Sequence, residues 1–429
     1  MRSDAAATAD VAVVGGGFSG VMTAVHLVRR GLSVRLFEPG AEPGRGIAYA
    51  TRDPVHLLNV PAGKMSAFAD QPDHFRSALG LGEGTFARRL DYGAYVAAIL
   101  ADHPAVSAER QAVTALVRDE DGWRLTLADG SLARASAAVL ALGNEPPSVP
   151  ESWDGLPVIA NPWSAEARAA IDGLAGEAGE VLLIGTGLTM IDLLLSLEHV
   201  GFAGKVVAVS RRGLLPRAHG PADPAPVRLD KLPVGNVLAL SRWLRRRSAS
   251  VGFRAAIDSL RPHSAALWQG WSEAERRRFL RHARPWWDVY RHRIAPEIAA
   301  QLDSLLRQGK LEVLAGRLQA HDGGEVQLAT RDGPRRLTPR LIVNCTGPNG
   351  NVTRTRNPLL RQLLGEGLVA PDPLALGLLT DAEDRAAPRL WALGPLTKGM
   401  YWEMTAVPDI RAQAERVAMA ITKEHFPHG

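Results

Sequence analysis

Apolar residues are concentrated in short, largely β-branched runs, and several of these runs end in glycine. The first, 10–14, has the length of a buried strand and leads into Gly15-Gly16-Gly17. Apolar positions then recur at helical spacing over 21–29, Gly31 stops the pattern, and 32–37 forms a second strand closed by Glu38. This is a βαβ unit. Alternation over 111–118, 123–127 and 132–134, with an Asp129-Gly130 turn, predicts a small meander, and 137–142 a return strand that ends on Gly143.

The plan then repeats. A strand over 181–184, the turn Gly185-Thr186-Gly187, a helix over 188–197 and a strand over 206–209 make a second βαβ unit. A second meander follows at 311–330, with turn signals at Asp322-Gly323-Gly324 and Asp332-Gly333, and its return strand 341–345 runs into Thr346-Gly347. Between them, 229–300 is rich in Arg and Trp, has helical periodicity and is broken at Pro262, Pro285 and Pro296. The expected class is α/β, with two Rossmann-like dinucleotide-binding domains and a helical insertion.

The glycines carry the chemistry. Gly15, Gly17 and Gly20 stand in G-x-G-x-x-G spacing, where the first permits the tight turn, the second lets the backbone approach a pyrophosphate and the third lets helix and strand pack closely. The pyrophosphate meets the free N–H groups at the helix N-terminus, here around Phe18 and Ser19. Glu38, eighteen residues beyond Gly20, is placed to accept hydrogen bonds from a ribose diol. In the second unit Gly185, Gly187, Leu188 and Thr189 form the corresponding turn, but its second strand ends in Ser210-Arg211-Arg212. Guanidinium groups suit a 2′-phosphate, which favours NADPH over NADH; the alternative is that the two arginines simply leave the strand for solvent.

Composition narrows the class. Of 429 residues, 46% are hydrophobic and 22% charged, as in ordinary globular chains, so neither disorder nor a membrane protein is favoured. The apolar stretch 11–28 is broken by its glycines and has no charged flank with a cleavage site, so we expect a cytoplasmic protein that does not engage a membrane. A single cysteine, Cys345, excludes an internal disulfide, a two-cysteine redox centre and a thiolate metal cluster, and its apolar surroundings mark it as a buried small hydrophobe. Net charge is +5, but the basic runs 242–247 and 276–293 are interleaved with Trp, Phe, Glu and Asp at helical spacing, which speaks for a solvated or ion-paired face rather than nucleic-acid binding.

Longer motifs add a resemblance. Gly44-Arg45-Gly46-Ile47-Ala48-Tyr49, the segment 56–62 with Met65-Ser66, 185–192, the run 210–216 with His219, and 286–296 are similar to the bacterial FAD/NAD(P)-binding flavoproteins that include the YdhS-like proteins. The pieces 344–348, 394–395 and 402–411 extend that likeness to the C-terminus. More distantly, the layout resembles the glutathione-reductase and flavin-monooxygenase arrangement, including amino-acid N-hydroxylating enzymes. The F-x-G-x-x-x-H signature of several flavin monooxygenases is absent, and Pro395 follows Gly394 where many related reductases have Asp.

The resemblance implies an FAD-binding domain in 1–165 and 346–429, an NAD(P)-binding domain in 166–225 and 301–345, and the insertion at 226–300. For FAD it points to Gly46, Ala48, Tyr49, Asn59, Val60 and Met65 at the front, Val113, Leu142 and Gly143 after the meander, and Gly394, Pro395, Thr405 and Ala406 at the end; the alternative is a turn cap for Asn59 and core filler for Met65. Thr346 and Gly347 join the nucleotide side. Trp402 and Glu403 are the substrate-side candidates, although a structural ion pair, for instance with Arg411, is the favoured reading of Glu403. The implied activity is an NAD(P)H-reduced FAD oxidoreductase, with oxygenation of a small amine or similar metabolite the leading subclass. The alternatives are a reductase without oxygen insertion and a flavin-binding sensor. No nucleic-acid partner is expected, and the oligomeric state is left open.

Overall fold

The computed structural model describes residues 8–322 and 324–425. Six strands come first: β1 (Ala9–Val14), β2 (Val34–Phe37), β3 (Val106–Glu109), β4 (Val113–Asp119), β5 (Gly122–Leu127) and β6 (Leu132–Leu140). Seven belong to a second sheet: β7 (Val158–Ile159), β8 (Glu180–Ile184), β9 (Lys205–Ser210), β10 (Leu311–Asp322), β11 (Glu325–Thr330), β12 (Gly333–Leu337) and β13 (Leu341–Asn344). The chain then returns to the first sheet with β14 (Arg385–Ala387) and β15 (Leu390–Ala392). The orders are β14-β15-β6-β1-β2-β3, with the β4–β5 hairpin beside β6, and β12-β11-β10-β9-β8-β13-β7. This is the expected α/β class with two Rossmann-like sheets.

Both sheets follow from sequence in the same way. Strands β1, β8, β9 and β13 are almost wholly apolar because helices or hairpins cover both of their faces. Helix Phe18–Val28 buries Val21, Val25 and Leu27 against β1 and β2, and the last helix, Val407–His425, packs beside it through Ala414, Val417 and Ile421. The helix Leu188–His199 does the same for the second sheet.

One expectation needs correction. The third meander strand and the return strand are one continuous strand, β6, whose first half pairs antiparallel with β5 and whose second half pairs parallel with β1. The break expected near Arg134 and Ser136 is only the polar face of the meander half. The prolines of the insertion mark element boundaries as expected: Pro262, Pro285 and Pro296 each stand in the first turn of a new helical segment, where no backbone N–H is needed. The insertion also bends at Gly252 (φ 78°), inside the long helix Val237–Leu260. Helix Pro296–Arg307, across the expected boundary at 300, packs Ile298, Leu302 and Leu305 into the second core. Of the expected turn at 322–324, Gly323 lies outside the described residues.

The two sheet units are joined by a buried polar knot. Asp53, 2% exposed, accepts from the Ser196 hydroxyl (2.6 Å) and the Arg168 guanidinium (2.9 Å). His56 Nε2 lies 2.9 Å from Ser196 Oγ and 3.0 Å from the Asp192 carbonyl oxygen, and Arg89 pairs with the Asp192 carboxylate at 2.9 Å.

Candidate functional site

The C-terminal ends of β1, β2, β6 and β15 gather the first set of candidate residues. Gly15 (φ 106°) and Gly20 are demanded by the chain itself, since an added Cβ would stand 2.4 Å from the Ala141 carbonyl oxygen and 1.8 Å from the Gly15 carbonyl oxygen respectively. Gly17 is different. Its φ is −74°, and a Cβ there would meet nothing closer than Gly46 Cα at 3.5 Å. Neither backbone conformation nor packing explains this glycine, whereas a phosphate lying against the backbone does. Phe18, Ser19 and Gly20 open the buried helix, and Gly46, Ala48 and Tyr49 form a one-turn helix across from Gly17.

Glu38 ends β2 with its carboxylate accepting from the Gly16 amide (2.7 Å) and the Gly40 amide (2.8 Å). These bonds hold the carboxylate at the strand end where a ribose is expected. Leu142 and Gly143 follow β6, and Gly394 (φ 63°) and Pro395 follow β15, one strand over. The Gly394 amide donates to Gln413 Oε1 (2.8 Å), and Gln413 donates in turn to buried Asp384 (2.8 Å) and to Thr397 (3.0 Å). The backbone turn is thus pinned from beneath. Thr405 and Ala406 stand at the entrance to the last helix. Val113 begins β4 and is packed in the meander core. Asn59 accepts from His219 Nε2 through its carbonyl (3.0 Å), with Val60 beside it.

The second set is at the ends of β8, β9 and β13. Gly185 (φ 125°) is again required by the fold, with a Cβ falling 2.2 Å from the Cys345 carbonyl oxygen, whereas Gly187 (φ −89°) would meet no atom within 4 Å. Leu188 and Thr189 start the helix, and Thr346 and Gly347 follow β13. Ser210 is used to shape its own turn, by its contact with Thr186 Oγ1 (2.8 Å) and by accepting from the Gly213 amide (3.1 Å). Arg211 and Arg212 are exposed and make no ion pair among the described residues. Burial drives the Cys345 thiol far up from its ordinary pKa, so it is no nucleophile at neutral pH.

Met65, 2% exposed, packs in the core beneath the first sheet, as its plainer reading has it. Glu403 does not pair with Arg411, which donates to the Ser66 carbonyl instead (2.8 Å). Its nine-tenths buried carboxylate pairs with Arg291 (3.2 Å) and accepts from Trp287 Nε1 (2.7 Å), both from the insertion. Trp402 is the centre of a γ-turn (φ 65°, ψ −60°) in which the Glu403 amide donates to the Tyr401 carbonyl (2.8 Å), and its ring stacks on Trp268 at 5.0 Å. That turn aims Glu403 into the insertion.

A cleft lies between the first sheet unit and the insertion, lined by Gly143, Asn144, Pro395, Thr405, Trp402 and Glu403. Sequence reasoning missed three of its groups. Lys398 faces the cleft with its pKa pushed down to about 8 by burial and by Arg284. His292 is lowered by burial, and Asp288 is paired with Arg284 (3.3 Å). Asp288 and His292 come from the insertion, within the segment 286–296 that carries the resemblance, and Lys398 lies outside every quoted motif.

Two glycine turns whose ligand faces the chain leaves clear, on two Rossmann-like sheets, define a flavoprotein of oxidoreductase fold that binds FAD and NAD(P). Residues 12–145 match the family described as FAD-NAD(P)-binding. No curated protein matches the sequence. Among solved structures, the chain is similar to the reduced form of ornithine hydroxylase (PvdA) from Pseudomonas aeruginosa, with 15% identity over 98% of this chain and 100% of that one and a TM-score of 0.64. The L-lysine 6-monooxygenase from Pseudomonas syringae gives 18% identity, 97% and 99% coverage and a TM-score of 0.64. The bacillithiol disulfide reductase Bdr (YpdA) from Bacillus cereus gives 13%, 97% and 100%, and 0.60. At these identities the likeness is one of fold. Among the described residues no helix is long and apolar enough to cross a membrane.

Proposed function

We propose that the protein is an FAD monooxygenase reduced by NADPH and acting on a small organic molecule. FAD is held by 1–165 and 346–429, and the nicotinamide nucleotide by 166–225 and 301–345. The observation that carries the oxygenase reading is the roof over the cleft: the insertion reaches it through Trp287 and Arg291, which hold Glu403, and through Trp268, on which Trp402 stacks. A reductase serving a protein partner needs that edge open, and the one thiol, buried in the second sheet unit, offers no relay. The likeness to YdhS-like and N-hydroxylating flavoproteins supports the same reading.

FAD, when bound, supplies the redox chemistry. The substrate gains one atom of dioxygen, the other leaves as water, and NADPH with a proton supplies the two electrons. The chain's part is positional. Glu38 accepts from the ribose diol, the amides of 17–20 meet the pyrophosphate, and Arg211 and Arg212 take the 2′-phosphate. Lys398, with its pKa near 8, is placed to exchange a proton in the cleft at neutral pH. Of the acids lining the cleft, Glu403 and Asp288 are each matched by an arginine, whereas Glu145 makes no ion pair among the described residues and accepts from the Thr355 hydroxyl.

The test is anaerobic reduction by NADPH followed by ¹⁸O₂ in the presence of candidate substrates. Label in the product is expected. Flavin reduction and dye turnover without label under every substrate would leave an electron-transfer reductase.

A further inference from the structure

Next to the cleft lies a cavity of about 770 Å³ that no sequence motif accounts for. It is built entirely by the insertion and Trp402: the bent helix Val237–Leu260, the segments around Leu267 and Trp271, the π-turn Phe279–Ala283 and the helix Arg284–Arg291. Its volume is that of a small-molecule site and far exceeds the gaps a packed interior leaves. A π-turn in its wall is the kind of irregularity found at functional sites.

The wall specifies the occupant. Trp268, Trp271, Trp286, Trp287, Tyr290 and Trp402 line it, a set of faces and edges suited to a flat ring system. No Asp or Glu lines it, whereas Arg245, Arg278 and His282 do. Arg278 pairs with Glu275, but Arg245 makes no ion pair among the described residues. Trp271 Nε1, on a side chain only 7% exposed, and Ser264 Oγ are buried with no hydrogen-bond partner. A buried donor without an acceptor costs about 1–3 kcal/mol, so an acceptor brought by a ligand fits this wall.

Trp402 alone lines both the cavity and the flavin-side cleft. Its backbone is in a region that L residues rarely adopt, and such strain persists only where surrounding contacts over-determine it. Here the stack on Trp268 does so.

We propose that this cavity is the substrate site, that its ligand class is a planar aromatic acid with its carboxylate toward Arg245, and that Trp402 is the partition presenting the ring to the flavin side. The assignment of the ligand as substrate rests on the monooxygenase reading; the binding site itself does not.

The probe is 2-naphthoate, added to FAD-loaded protein while tryptophan emission is followed, with 1-naphthylmethylamine as its cationic counterpart. Saturable quenching is expected, at least about tenfold tighter for the acid than for the amine. Arg245→Gln should erase that preference, and Ser241→Trp, which fills the cavity from its exposed rim, should weaken naphthoate by about tenfold or more while the protein keeps its FAD. Equal binding of acid and amine by wild type, or unchanged naphthoate binding in Arg245→Gln, overturns the site; because Arg245 is exposed, that variant tests it even if Ser241→Trp fails to fold. Naphthoate that binds as expected but draws no ¹⁸O, together with the failure of every other substrate to do so, sinks the oxygenase reading and leaves the site standing.

Discussion

The two glycine turns of this chain share backbone geometry and differ at the end of the strand that follows. In the first, Glu38 is drawn down onto the amides of Gly16 and Gly40; in the second, Ser210 takes the role of shaping the turn and two arginines project beyond it. One half therefore offers a fixed acceptor, the other unpaired positive charge. Nucleotide choice is thus separable from the fold, because the glycines that build each turn are different residues from those that face a ligand.

That separation can be broken most strongly at the glycines. Gly20→Ala is expected to lose folded protein outright, since its Cβ falls on the Gly15 carbonyl; insoluble expression or a large drop in melting temperature checks this. Gly17→Val should instead fold normally and lack flavin, while Gly187→Val should stay yellow and resist reduction by NADPH. If Gly187→Val lost FAD and Gly17→Val kept it, the two halves would have to exchange cofactors.

A smaller effect sharpens the second half. Arg211→Ala with Arg212→Ala should weaken NADPH by about 2–4 kcal/mol and NADH far less, as charge-assisted bonds to a phosphate disappear. Equal losses, measured as dissociation constants for both nucleotides, would return the arginines to solvent.

Lys398 tests the cleft between the first sheet unit and the insertion. Burial holds its pKa at about 8, below the ordinary 10.5, so between these values the unfolded chain binds a proton that the folded chain does not. Stability from this group therefore rises as pH goes from 8 to 10.5, and below 8 the buried charge is a cost. In flavin-free protein, Lys398→Met should be stabilised near pH 7 relative to wild type and should lose that rise at alkaline pH. A parallel pair of melting curves across pH 7 to 10 for the two proteins would refute it.

The smallest change is expected at Cys345, buried between the second cradle and its core. Cys345→Ala should cost about 1 kcal/mol and leave the anaerobic reduction rate per bound FAD unchanged. A large fall in that normalised rate would reopen thiol chemistry.

Local patterns made much of this legible. Strand, glycine turn, helix and terminal acid are contiguous in sequence, so Gly15 to Glu38 and Gly185 to Arg212 could be read as they stand. What escaped depends on segments far apart. Glu403 and Arg291 are paired across 112 residues, and no spacing announces that the insertion folds back over the cleft. The short strand β3 has two exposed positions of four and resembles a loop. Strand β6 was read as two because its residues change partners midway, and only tertiary pairing makes it one. Met65 sits in a long motif, and motif membership leaves ligand contact and core packing both open, because it does not say which way a side chain turns.

The polar knot of Asp53, His56 and Ser196 limits how the molecule can move. Swinging one sheet unit away from the other must break the Asp53 bonds to Ser196 and Arg168 and the Arg89–Asp192 pair together, each exchanged for water at a net cost of about 0.5–1.5 kcal/mol. The knot therefore resists relative motion of the two units as one set of contacts that opens or holds together.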